Sequence, residues 1–530
     1  MDIIENEKKK RTILYGLLVT VLVLIGVTYA YYRITKTQTN SNVIGTRTCL
    51  NTTLTEETSE IVLSDAFPIS DEDGLKQSPF TFTLTNNCDS YVKVTIALVS
   101  EYRTSTNTAY LKDNYVKSNL STKGTNDGSS VILSTLSLGE VDTNTQGYVL
   151  KTTGLKNKEA KSFDLRLWLD SETTNEQGLN KTWKGKIVVS VVAAEYVPTF
   201  AETILANNEV KAPITTPGAA ISTADEAEFA STEDDYGTSY YFRGAVTNNY
   251  VEFANKCWRI VRVGGDGSVK LILHNDNTAG VANPCDSANN SASAAFARYS
   301  ETTYTSAFNT NYNDNAYVGF KYGTVGASDY ATTHANTNNS TILTNLEAWY
   351  NNNLKTYESV IDDNVWCNDK TNVTDETYDP WNYTPNGLGY ANNVTFYGAT
   401  QRLVSSTSGS AGGTGPSLKC NGELSKITSK VGLITADELA FAGYAAGTTA
   451  GTGNTTTYLQ ENATDTYWWS LSPGNFYGNS ARVWIVGGSS GVFGHRSVGN
   501  TSAVRPSISL KSTTNVTGNG TSSSPFIISM

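Results

Sequence analysis

Apolar residues fall into three patterns along the chain. The first is a nearly unbroken run at residues 13–32, ILYGLLVTVLVLIGVTYAYY. A helix of that length rises about 30 Å and spans a bilayer core. The second begins near residue 79, where apolar and polar positions alternate: Phe80, Phe82 and Leu84, then Val92, Val94, Ile96 and Leu98. The alternation returns at Phe163, Leu165, Leu167 and Leu169 and again around Trp183, Ile187, Val189 and Val191. A period of two with one apolar face marks half-buried antiparallel strands, and four such runs predict an all-β sandwich. Residues 101–160, rich in Asn, Thr, Ser and Gly, supply long loops and shorter strands such as SVILSTLSL.

The third pattern mixes periods. YYFRGAVTNNYVEF predicts a hairpin at Asn248-Asn249, and NKCWRIVRVGGDGSVKLIL another at Gly265-Asp266-Gly267. In STILTNLEAWYNNNLKTY, Ile342, Leu346, Trp349 and Leu354 fall near one face of a helix. VGLITADELAFAG reads as a short strand entering a helix, with Thr435 and Glu438 spaced as a capping box. YWWSLSP, ARVWIVGGSSGVFGHRSV and AVRPSISL read as closing strands. Between the second and third patterns lie Pro198, Pro213, Pro217 and ADEAEFASTEDD, the composition of an acidic linker with a helical turn or two over TFAETILANN. The organisation is therefore an export segment at 1–32, a β-sandwich at 33–196, a linker at 197–235 and an α+β domain at 236–530.

Charge orients this arrangement. Lys8, Lys9, Lys10 and Arg11 precede the apolar run, and only Arg33 and Lys36 follow closely, so the positive-inside bias exports everything after residue 33. Tyr29, Tyr31 and Tyr32 suit the interfacial belt of a membrane anchor, and Ala30, two positions after Thr28, suits cleavage as a signal peptide. The net charge of the 530 residues is -11, and after residue 32 there are 35 basic against 47 acidic residues. Such a surface repels nucleic acid and excludes it as a partner. Six cysteines, with no CxxC pair and no nearby histidine, predict disulfides rather than metal ligation.

GVTYAYY at the end of the apolar run, together with PFTFTLTNNCDSYVKVTIAL, resembles the camelysin and TasA-type secreted proteins of biofilm matrix. The resemblance implies a jelly-roll-like sandwich and a capacity for self-assembly. YYFRGAVTNNYVEFANKCWRIVRV, VGLITADELAFAG, WWSLSP, ARVW and VRPSISL resemble a domain of unknown function common in surface proteins of Gram-positive gut bacteria. They also resemble the C-type-lectin-like fold shared with formylglycine-generating enzymes. That fold hosts binders, enzymes and spacers alike, so it does not settle an activity. Cys49 and Cys88 are additional to the camelysin pattern and are paired here with each other. Four cysteines remain and allow three connectivities; the sequential choice, Cys257 with Cys285 and Cys367 with Cys420, closes a loop around an irregular segment in each case.

No catalytic constellation, metal site or cofactor motif stands out. Gly487-Gly488-Ser489-Ser490-Gly491 spells GxSxG, but both flanks read as strands, where a nucleophile elbow needs strand and then helix. His274, His334 and His495 are scattered and are read as loop residues. The run of carboxylates from Asp362 to Asp379 reads as a solvated loop rather than a calcium site. Trp258 and Trp484, in alternating strands, belong to the core, which leaves Trp468, Trp469, Tyr467 and Tyr477 as surface aromatics. The long irregular stretches 274–338, 362–420 and 444–466 suit hydrogen bonding to hydroxyl-rich ligands. Trp381, Tyr467 and Trp469 are the expected stacking anchors, with Asp369 and Asp379 as polar partners. The reading is a non-enzymatic surface adhesin with a sandwich stalk and a lectin-like head for a glycan or a host or matrix protein. A structural subunit of matrix fibres is the alternative.

Overall fold

The computed structural model describes residues 34–37, 51–58, 61–64, 66–140, 145–212, 228–447 and 457–529. The apolar run 13–32, Cys49 and residues 213–227 of the expected linker lie outside them. The chain divides into two compact units, Met1–Val197 and Pro198–Met530. Among the described residues no helix is long and apolar enough to cross a membrane.

In the first unit the four alternating runs become the strands Phe80–Asn86, Val92–Ser100, Ala160–Asp170 and Thr182–Ala193. They are distributed over two six-stranded sheets. Thr182–Ala193 lies antiparallel between Ile34–Thr37 and Val92–Ser100 in one. Ala160–Asp170 lies antiparallel between Phe80–Asn86 and Val116–Thr122 in the other. Phe82, Leu84, Phe163 and Leu165 from one sheet share a core with Val94, Ile96, Ile187 and Val189 from the other. Two sheets with a common apolar layer form a β-sandwich. The segment after Asn86 does not return the chain to the same sheet, because Val92–Ser100 belongs to the opposite one. Asn86 is buried at this corner and donates its amide to the carbonyls of Ser90 (2.7 Å), Leu155 (3.1 Å) and Lys156 (2.9 Å), which holds the crossing in place.

The second unit starts earlier than its sequence implied. Phe200–Asn207 is a helix with a capping box from Thr199 and Glu202, and it buries Phe200, Ala201 and Ile204 in this unit's core. Glu228–Asp234 pairs along its whole length with Gly237–Arg243. The described parts of the stretch read as a linker, 198–212 and 228–235, are thus built into the second unit. Phe200 and Ile204 stand one turn apart on one helix face, and that short apolar stripe is enough to dock it.

A nine-stranded and a six-stranded sheet, with the helices against them, enclose one large core. Gly237–Arg243 and Tyr250–Phe253 both pair with Lys256–Val263, through Tyr240 opposite Val263 and Tyr250 opposite Arg259. Residues 244–249 are therefore an excursion from one sheet edge and not the hairpin expected at Asn248-Asn249. Asn249 is buried there, accepting from Arg259 Nε (2.6 Å) and donating to the Ile260 carbonyl (2.9 Å). The tight turn is instead Ala254-Asn255, with φ of 54° and 57°, the left-handed pair that a two-residue hairpin requires. The hairpin at Gly265-Asp266-Gly267 is present, between Val263 and its partner Val269.

Thr341–Asn353 is the expected amphipathic helix; Ser340 caps it, and Ile342, Leu346 and Trp349 are buried beneath it. Ala436–Ala442 carries the expected capping box and stops at Gly443, whose φ is 116°. The strand expected just before it is reduced to a single bridge from Gly432 to Ser507. Disulfides join Cys257 to Cys285 and Cys367 to Cys420, and Cys88 is also disulfide-bonded.

The sandwich core contains one carboxylate with a defined role. Buried Asp113 accepts hydrogen bonds from the Tyr148 hydroxyl and from Trp183 Nε1, each at 2.7 Å. Burial, and next the Asp113 bond, push the Tyr148 phenol upward, so it remains a donor. Asp113→Ala strands two buried donors, at a cost of about 1–3 kcal/mol for each. Denaturant unfolding should show the first unit destabilised by about 2–6 kcal/mol; a loss under about 0.5 kcal/mol would contradict this role.

Candidate ligand pocket

The site grows out of the closing strands. Ser480–Val486 and Phe493–Ser497 form an antiparallel hairpin around the GGSSG sequence, so GxSxG is a hairpin turn here. In this register Trp484 faces His495, Val486 faces Phe493 and Arg482 faces Ser497. The two-residue period therefore sets Arg482, Trp484, Phe493 and His495 on one face. Trp468–Tyr477 adds the third strand, with Asn475 opposite Arg482. Its register shifts on either side of Pro473, where a residue without an N–H cannot complete the ladder. A Cβ on Gly474 would lie 2.7 Å from the His495 ring, so only glycine lets the imidazole rest against that strand.

The opposite wall is the turn at 379–384. The Asp379 carboxylate accepts from the backbone N–H of Tyr383 (2.5 Å) and of Thr384 (3.2 Å), and Asn382 and Thr384 take positive φ of 60° and 47°. This tight loop holds the Trp381 ring edge-on to His495, with centroids 5.2 Å apart, and stacks Tyr383 on Tyr477 at 3.6 Å. Gly409, at φ +62°, closes over Trp381; a Cβ there would meet the indole at 2.4 Å. The walls enclose a cavity of about 250 Å³ lined by Trp381, Tyr383, Trp484 and Phe493, with Asn475, Arg482 and His495 as its polar members.

Burial, reinforced by the Arg482 charge, lowers the His495 pKa to about 3, so the imidazole is neutral. Its Nδ1 accepts from Asn475 Nδ2 (3.1 Å), which leaves Nε2–H to donate to Thr400 Oγ1 (3.3 Å). The Thr400 hydroxyl in turn donates to the Gly474 carbonyl at 2.8 Å. With its amide nitrogen committed, Asn475 presents a carbonyl oxygen that has no partner, and Trp484 Nε1 and Arg482 Nε are likewise unpartnered. The indole nitrogens of Trp349 and Trp468 also lack partners; Asn475, Arg482 and Trp484 differ in lining one cavity, although these three atoms are themselves shielded from solvent.

A second, smaller cavity of about 40 Å³ lies among buried charges near the Cys367–Cys420 disulfide. Its groups are already paired. Arg402 bonds both oxygens of Asp437 (2.7 and 2.8 Å) and one of Asp369 (2.7 Å). Glu438 accepts from Lys270 (2.7 Å) and Arg262 (3.0 Å), and Arg262 reaches Asp234 at 2.8 Å. The space holds a few waters and no more.

Of the expected site residues, Trp381 lines the pocket and Asp379 shapes the turn that carries it. Trp469 is a correction: it is fully buried, donating to the Ser306 carbonyl at 2.8 Å and packing on Phe308. Trp468 is buried as well. Tyr467 is exposed away from the pocket lining, beneath the Arg496 guanidinium at 4.6 Å. Asp369 belongs to the Arg402 network. The histidines are not loop residues: His274 and His495 lie in strands and His334 ends the helix Tyr330–His334. Burial also holds His274 and His334 neutral, the latter at about 3. Among the described residues no cluster of His, Cys, Asp and Glu is placed to hold a metal. Asn475, Arg482 and His495 were missed, although Arg-x-Trp and Phe-x-His flanking a glycine-rich turn carry the signal.

Burial alone would raise the Glu438 pKa, but Lys270, Arg262 and the Thr435 N–H hold it down at about 2. A carboxylate depressed in the folded state contributes stability that is complete above its unfolded value, near 4.5, and is lost as the pH falls toward 2. Thermal melts across that interval should show the second unit weakening. Glu438→Gln should flatten the acid limb and cost about 3–5 kcal/mol at neutral pH; an unchanged acid limb would refute the assignment.

No family model matches the chain, and no curated protein matches it.

Proposed function

We propose that the second unit is a non-enzymatic, lectin-like head that binds a glycan or a glycosylated partner, displayed outside the cell on the TasA-like sandwich as a stalk. The observation that carries this reading is the aromatic cavity lined by Trp381, Tyr383 and Phe493, with half-buried Arg482 as its charged member. A mostly apolar concave site with a few polar groups is suited to a small ligand that presents both ring faces and hydroxyls. Trp381 and Tyr383, neither fully buried, offer stacking faces for sugar rings at low entropic cost. Binding is favoured over acid–base catalysis because His495, the histidine in the pocket, is held neutral with both nitrogens hydrogen-bonded. Disulfides fit an oxidising, extracellular setting, reached through the apolar leader as anchor or cleaved signal. The fibre-subunit alternative concerns the first unit and is compatible with such a head.

A glycan and host-protein array probed with the protein should return ligands that the double variant Trp381→Ala/Tyr383→Ala no longer holds. Both rings sit at the pocket rim and are not fully buried, so the melting temperature should stay within a few degrees. Retention of every hit by the folded double variant would overturn the site.

A further inference from the structure

We infer that the pocket takes a carboxylate-bearing sugar, an acidic pyranose whose carboxylate pairs with Arg482 while its ring lies on the aromatic walls. This rests on the ligand-pocket reading above and adds the charge of the ligand to it. Among the described residues lining the cavity, Arg482 carries the only formal charge: no Asp or Glu is present, and His495 is neutral. Among the other guanidiniums withdrawn from water in this unit, Arg243, Arg259, Arg262 and Arg402 each lie against a carboxylate, and Arg505 is held by the carbonyls of Leu273 and Leu459. Arg482 is half-buried, its Nε lacks any partner, and no ion pair joins it to a described carboxylate. A guanidinium taken partly out of water and left without an anion is costly, and its planar fork matches the two oxygens of a carboxylate.

The remaining lining limits the rest of the ligand. Trp381 and Tyr383 line the same cavity as Arg482, are not fully buried and offer ring faces to it. A cavity of about 250 Å³ is small beside typical ligand pockets of about 300–1,000 Å³, which favours one ring over an extended chain. A single positive charge balances a carboxylate and leaves a phosphate dianion half-neutralised.

The test is calorimetry on the full-length protein with paired monosaccharides: methyl glucuronide against methyl glucoside, methyl galacturonide against methyl galactoside, and N-acetylneuraminate against its methyl ester. At least one acid should bind about tenfold or more tighter than its neutral counterpart, the span of a charge-assisted hydrogen bond. Arg482→Met should erase that preference with the protein still folded by circular dichroism, and Arg482→Lys should keep part of it. If acid and neutral sugars bind alike and Trp381→Ala abolishes both, the pocket stands and the inference of an anionic ligand falls. If no sugar binds, the pocket reading and this inference fail together.

Discussion

Glu438 is the side chain on which the second unit's arrangement depends. Its Oε2 accepts from the Thr435 N–H at 2.9 Å and closes the capping box of Ala436–Ala442, while Oε1 accepts from Lys270 and Arg262. Lys270 and Arg262 come from neighbouring strands of the nine-stranded sheet. One carboxylate thus starts a helix and fastens it to two strands. The preceding residue, Asp437, accepts both arms of Arg402, and Arg402 continues to Asp369. Buried ion pairs of this kind add little net stability once desolvation is counted. They do restrict the packing, because displacing any member leaves another charge buried alone.

That restriction reaches the pocket through the helix Gly398–Leu403. Arg402 anchors it in the charge network, and two residues earlier Thr400 bonds both His495 and the Gly474 carbonyl. Close approach is what makes this compact: a Cβ on Gly398 would lie 2.6 Å from the Asp369 carboxylate, and one on Gly474 would strike the His495 ring. The chain from Gly474 through Thr400 and His495 to Asn475 consumes every hydrogen bond that the neutral imidazole can make. It leaves Asn475 Oδ1 buried without a partner. The pocket's polarity therefore follows from its supports.

Local signals were legible in the sequence, and long-range ones were not. Strict alternation around Phe82, Val94, Leu165 and Val189 needs only the two-residue period to name the sandwich core. Thr435-x-x-Glu438 and Ser340 reveal helix starts because a cap acts within one turn. The excursion ending at Asn248-Asn249 looked like a hairpin because the strand that both flanks pair with, Lys256–Val263, comes later in the chain. Consecutive Trp468 and Trp469 point to opposite faces of a strand, and alternation predicts that one is exposed; both are buried because that strand is covered on both sides. Trp381 was found from its irregular, aromatic-rich stretch. Its partners were missed because a hairpin's sequence does not say which of its faces meets a loop 100 residues earlier.

The central claim is that a ligand seats in the aromatic cavity beside Arg482, and the indole N–H signals report on it directly. The chain has nine tryptophans, and the resonances can be assigned by single Trp→Phe replacements. On titration with a sugar that the protein binds, the Trp381 Nε1–H signal should shift as the ring is covered, accompanied by Trp484, which lines the same cavity. Trp258, Trp366 and Trp469, each already donating to a backbone carbonyl, should stay in place. A bound ligand that leaves Trp484 and Trp381 unmoved while other indoles shift would contradict the account.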